Sequence, residues 1–111
     1  MTQLVGTALI LVVKSGFTSS IRNVESATKK VNYFFSPVIS LAEQRKWTGL
    51  QGLSGNKGGV GIRLDVYDSS VCLMTCHLAA GHGNVTERNA DYRTILGGLR
   101  FLRGKMIEDH E

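Results

Sequence analysis

The residues best equipped for chemistry lie in three short stretches. Residues 49–59, Gly-Leu-Gln-Gly-Leu-Ser-Gly-Asn-Lys-Gly-Gly, gather five glycines around Asn56 and Lys57. Glycine lets successive backbone N–H groups converge on an anion, and a lysine in the same loop supplies charge. A Walker loop would need Gly-Lys followed by Ser or Thr, whereas here Asn56 precedes Lys57 and Gly58 follows it, so the nucleotide reading loses most of its weight. Glycine count alone also fits a flexible linker or the start of a tightly packed strand.

The second stretch, Thr75-Cys76-His77-Leu78-Ala79-Ala80, places His77 where an apolar strand ends, a position from which a side chain reaches a cleft above a sheet. A lone histidine there can equally be a structurally satisfied ring. In the third, Glu87-Arg88-Asn89-Ala90-Asp91-Tyr92, Arg88 and Asp91 stand at i, i+3 with Asn89 between them. An ordinary helix salt bridge, worth about 0.2–0.5 kcal/mol, accounts for that spacing too. Cys72, Cys76, His77 and His82 lack zinc-finger spacing, so no metal site is read from them.

The elements that must carry these residues follow from the hydrophobic pattern. Residues 4–13 form a nearly continuous apolar run that reads as a strand buried on both faces and is too short to cross a bilayer. Residues 19–28 read as a connection or an edge strand. Residues 59–67 and 70–76 read as two strands of a hairpin turning at Asp68-Ser69. A helix is expected to start at Asn84 or Thr86, with Tyr92, Ile95, Leu96 and Leu99 on its inner stripe. The tail from residue 104 to 111 is polar and expected to fray.

The chain has 111 residues, 42% of them hydrophobic and 20% charged, a balance that argues against disorder or a fibrous repeat. Thirteen basic residues against nine acidic ones give +4, which favours anionic partners without choosing among phosphate, nucleic acid and acidic membrane. Cys72 and Cys76 on one strand would be about 13 Å apart, beyond disulfide reach, and a reduced cytosolic setting fits.

Taken in order, Thr48-Gly49-Leu50, Ser-Gly-Asn-Lys-Gly-Gly-Val-Gly-Ile-Arg at 54–63, Cys76-His77-Leu78-Ala79-Ala80-Gly81 and Glu87-Arg88-Asn89-Ala90-Asp91-Tyr92 resemble the inositol-polyphosphate 5-phosphatases. The opening Val5-Gly6-Thr7-Ala8-Leu9, the Ala79-Ala80-Gly81 variant and Leu99-Arg100-Phe101 look most like the fungal synaptojanin-type branch. The resemblance runs over residues 1–30 and 48–103 and covers well under half of that family's catalytic domain.

The resemblance implies an α/β (α+β) fold, a fragment of the endonuclease/exonuclease/phosphatase four-layer αββα sandwich. It implies in-line attack of water on the 5-phosphate of phosphatidylinositol 4,5-bisphosphate, assisted by Mg²⁺. His77 would be catalytic, donating to the scissile phosphate, and Asn56, Lys57, Arg88 and Asn89 would bind substrate, Arg88 and Asn89 either by bracing the His77 loop or by reaching the same pocket. The family's metal-binding Glu and its Gly-Asp-Leu-Asn and Asp-His segments have no counterpart here, so the metal ligands are expected outside this chain and the chain alone is expected to be inactive. The expected partner is a phosphoinositide lipid at a membrane surface, with a cytoplasmic, peripheral location and no nucleic acid. The alternatives are a non-catalytic phosphoinositide- or membrane-binding module, or a nuclease of the same fold.

Two departures from the family pattern stand out. Gln51 replaces a small residue. Residues 31–47, which hold the only proline and the only tryptophan, interrupt a join that relatives make directly. They read either as a translated intron or as a surface loop whose Tyr33, Phe34 and Phe35 dip into the bilayer. Sequencing the transcript separates the two.

Overall fold

The computed structural model of the chain describes residues 1–4, 6–31 and 57–110. Its centre is strand β4, named here with its neighbours in chain order: β1 (Thr2–Leu4), β2 (Thr7–Leu9), β3 (Ile21–Lys30), β4 (Gly58–Val66), β5 (Ser69–His77) and helix α1 (Val85–Gly98). β3, β4 and β5 form an antiparallel three-stranded sheet in that order, while β1 and β2 pair as a separate hairpin.

Alternation along β4 assigns its two faces. Val60, Ile62 and Leu64 point one way and are buried beside the β1–β2 hairpin. Gly59, Gly61 and Arg63 point the other way, under α1 and the residues after it. A Cβ on Gly59 would lie 2.7 Å from Ile95 Cγ2, and one on Gly61 would lie 3.2 Å from the Phe101 ring. These glycines let the helix and the following chain rest almost directly on the sheet backbone. Of the readings open for the glycine-rich stretch, the described part, from Lys57 on, forms the start of a tightly packed strand.

The core on the helix side gathers Val31, Ile95, Leu99 and Phe101, with Ala27, Cys72, Met74, Leu78 and Ile107 packed against it. Val31, expected to open an insert, is thus a core residue. The rest of that expected insert, 32–47, lies outside the described residues. On either side of residues 32–56 the Val31 N–H donates to the Lys57 carbonyl at 3.0 Å, continuing the β3–β4 ladder.

Several expectations hold in kind. The β4–β5 hairpin forms with Val66 opposite Ser69, although its turn is Tyr67-Asp68, with Tyr67 at φ 52°, one residue earlier than expected. β3 is an edge strand of its sheet, with a bulge between Arg22 and Glu25 where Asn23 adopts φ 52°. α1 begins after Asn84.

Two expectations need correction. The apolar run 4–13 is not one buried strand. Gly6 at φ 79° reverses the chain, Leu4 ends β1 and Leu9 ends β2, and Ile10 and Val12 are 62% and 85% exposed. A strand buried on both faces needs a paired neighbour, and residues 10–13 have none among the described residues. The inner stripe of α1 carries Asp91, Ile95 and Leu99, while Tyr92 faces solvent, so the helix is rotated from the purely apolar prediction. Residues 104–110, in the tail expected to fray, make contacts of their own. Met106 N–H donates to Asp109 Oδ2 at 2.7 Å, Ile107 joins the core, and the His110 ring stands edge-on to Phe101 with centroids 5.5 Å apart.

Candidate phosphate-binding site

His77 is the last residue of β5 and pairs with Gly58, the first residue of β4. Lys57, immediately before that glycine, therefore reaches the same end of the sheet. Its Nζ lies 2.8 Å from His77 Nε2, and both side chains are half-buried. An ammonium has only donors, so in this contact Nε2 accepts and the imidazole is neutral, with its proton on Nδ1. Among the described residues no carboxylate forms an ion pair with Lys57, since both ion pairs belong to Arg63. The two stretches that looked most chemical in the sequence thus meet, and no acid among the described residues pairs with the lysine.

The loop that follows His77 is held by α1. Asp91 Oδ2 accepts the Ala79 N–H at 2.8 Å from a position only 2% exposed. Arg88 Nη1 donates to the carbonyls of Ala79, at 3.3 Å, and of Gly81, and Asn84 Nδ2 donates to the Ala80 carbonyl at 2.6 Å. Gly81, at φ 102°, allows the chain to turn there. Arg88 is therefore placed as a brace, and the Arg88–Asp91 salt bridge that the spacing allowed is replaced by two separate grips on Ala79. Asn89 is exposed on α1 and takes no visible part in the brace, and Asn56 lies outside the described residues.

A second polar cluster escaped the sequence reading. Arg63, 4% exposed, donates to Asn23 O (3.0 Å), Ser70 Oγ (2.9 Å), His110 Nε2 (3.2 Å) and Asp65, with Glu25 at 3.9 Å. Asn23 Nδ2 donates to the other Asp65 oxygen at 2.7 Å. That bond, together with the Arg63 guanidinium, holds the Asp65 carboxyl below its usual range against an opposing effect of burial. The signal available in the sequence was Arg63 sharing the parity of Gly59 and Gly61, which makes it an inward-facing charge. Its partner Glu25 could be found only through the β3–β4 register.

Other chemistry is limited among the described residues. Burial pushes the thiols of Cys72 and Cys76 up, so neither is a poised nucleophile near neutral pH. No group of three His, Cys, Asp or Glu side chains that could hold a metal ion occurs among them. Glu25 and Asp65 serve Arg63, and Asp91 serves Ala79. No described helix is long and apolar enough to cross a membrane.

Comparison with known proteins adds the family. Residues 1–111 match the Endonuclease/Exonuclease/phosphatase family 2. The inositol-1,4,5-trisphosphate 5-phosphatase 1 of Schizosaccharomyces pombe is 48% identical over 109 residues, which are 98% of this chain and 9% of that protein. Synaptojanin-2 of Homo sapiens is 36% identical over 109 residues, again 98% of this chain and 6% of that protein. The solved inositol polyphosphate 5-phosphatase domain of SPsynaptojanin, in complex with inositol (1,4)-bisphosphate and calcium ion, superposes with a TM-score of 0.76 at 45% identity, covering 98% of this chain and 26% of that one. The chain thus spans less than a tenth of these curated relatives and about a quarter of the solved domain.

Proposed function

This chain belongs to the endonuclease/exonuclease/phosphatase family, and from that premise we propose that it is the phosphate-gripping part of a phosphoinositide 5-phosphatase. The observation that carries the reading is the contact of Lys57 Nζ with His77 Nε2 at 2.8 Å, at a sheet end where no described carboxylate neutralises the lysine. An ammonium has three donors. One is used on His77, so two remain for phosphoryl oxygens without breaking that contact. The role proposed for the His77 ring is to hold a phosphoryl oxygen as charge develops there. Asn56 is proposed to shape the adjoining loop, and Arg88 to keep the His77 loop in place from α1. Asn89, exposed on the same helix, is proposed for contact with the head group.

The proposed substrate is phosphatidylinositol 4,5-bisphosphate, met by a cytoplasmic protein at a membrane surface. The fold family implies a divalent ion, proposed here to be Mg²⁺, which when bound polarises the phosphoryl oxygen. The described residues do not fit it, because no three of their His, Cys, Asp or Glu side chains gather to hold a metal ion, and Asp65 and Asp91 are engaged by Arg63 and Ala79. Its ligands are not among them, and the 111-residue chain alone is proposed to be inactive.

Phosphate release from vesicles containing phosphatidylinositol 4,5-bisphosphate, with Mg²⁺, tests the reading in the complete natural protein carrying this sequence. His77→Ala should lower turnover about 10²–10³-fold. Turnover unchanged by that substitution, or vesicle binding with no hydrolysis by the unsubstituted protein, would favour a non-catalytic lipid-binding module instead.

A further inference from the structure

We propose that Asp91 is a positioning residue for His77. The inference rests on reading His77 as the phosphate-facing ring and adds a side chain on a different element that sets where the ring stands. A carboxylate between the helix and the sheet is costly unless it is hydrogen-bonded, so its place on a stripe shared with Ile95 and Leu99 calls for a partner. That partner is the Ala79 N–H, 2.8 Å from Oδ2.

Ala79 is itself buried and follows His77 by two residues. Its N–H goes to Asp91 and its carbonyl to Arg88, so both of its backbone polar groups are gripped by one face of α1. On the other side His77 is fixed by its place opposite Gly58 in the β4–β5 ladder. Only Leu78 separates the two anchors, and its side chain packs against the core. The imidazole therefore stands between a strand register and a helix clamp. Releasing the clamp frees the backbone beyond the ring while leaving the strand intact, which shifts the ring relative to Lys57.

A residue that merely docks α1 on the sheet would be expected to lower stability when changed, with no specific effect on the ring. Positioning predicts a more selective pattern. Asp91→Asn keeps an oxygen acceptor for the Ala79 N–H, whereas Asp91→Ala removes it. In the complete natural protein, Asp91→Ala should reduce kcat about 10²-fold, with KM for phosphatidylinositol 4,5-bisphosphate within about twofold of the original. Asp91→Asn should recover most of that loss. The ¹⁵N resonances of the His77 ring should change in Asp91→Ala and stay near their original positions in Asp91→Asn.

If Asp91→Ala does not fold, as judged by circular dichroism, Asp91→Glu takes its place. It keeps the charge but displaces the acceptor by one methylene, and it should show the same fall in kcat. An unchanged kcat in Asp91→Ala, or in Asp91→Glu where that is used, overturns the proposal, as does Asp91→Asn being as slow as Asp91→Ala. If the unsubstituted protein hydrolyses no phosphomonoester, the reading of its function fails, and the ring resonances alone then decide on Asp91. Resonances that do not respond to loss of the acceptor refute it.

Discussion

Lys57 and Arg63 are carried at the two ends of one stretch of chain, Lys57 just before β4 and Arg63 within it, roughly 20 Å apart by strand rise. They have opposite fates. Arg63 is buried and surrounded by Glu25, Asp65, Ser70, the Asn23 carbonyl and His110. Lys57 is half-buried, and its recorded side-chain partner is the neutral ring of His77. A cation whose donors are taken up by acids and carbonyls fixes the sheet, because breaking such a set leaves charges stranded. A cation given a neutral partner keeps its field for an incoming anion. Residue type alone does not separate these two basic residues; the partner does.

The sharpest way to break that contrast is to remove each cation in the complete protein. Arg63→Met should cost about 3 kcal/mol of unfolding free energy, measured by urea denaturation, because Asp65 and Glu25 lose the charge between them. Lys57→Met should change stability by less than about 1 kcal/mol. Equal losses at the two positions would erase the distinction. In turnover the order reverses: Lys57→Met should slow phosphate release about 10²-fold, within the range for loss of a single anion-stabilising donor.

Gly59→Ala sharpens the comparison from the packing side. Its methyl would meet Ile95 at 2.7 Å, so a cost of about 1–3 kcal/mol is expected. The accompanying displacement of α1 should also slow turnover, since that helix holds the His77 loop. Differential scanning calorimetry alongside the kinetic assay reads both effects.

The smallest expected effect is a pH dependence at the Arg63 end. Asp65 has its folded-state pKa lowered from 3.8, chiefly by the Asn23 bond and by Arg63, so the stability it contributes is present above that value and is lost as pH falls through the lowered one. Asp65→Asn should flatten the acid limb of the stability curve there. An unchanged acid limb would argue that Asp65 has no stabilised charge.

Much of this arrangement was legible in the chain. The alternation of residues 59–67 and 70–76 reported the hairpin, and the end of the second run placed His77 at a strand terminus. The ordered motifs brought Lys57 to the same neighbourhood, and the contact between them fits. What remained hidden depended on distant pairing. Glu25 opposes Arg63 only in the observed register of β3 on β4, and residues 32–56 separate those strands in the chain. The rotation of α1 follows a buried acid bonded to Ala79, which a stripe of apolar residues cannot reveal. Hydropathy joined residues 4–13 into one strand because a single glycine, Gly6, carries almost all of the information that the chain reverses.

The bond from the Val31 N–H to the Lys57 carbonyl has a consequence for the history of the gene. The chain departs from and returns to the sheet at adjacent points. Closing a connection between such points grows dearer only slowly, by about 0.6 kcal/mol for each doubling of its length. Material added or lost there over generations leaves the lysine anchored by its own peptide group. For the same reason this junction is a natural socket for splicing in a fluorophore or an affinity tag close to the Lys57–His77 pair while the pair keeps its place.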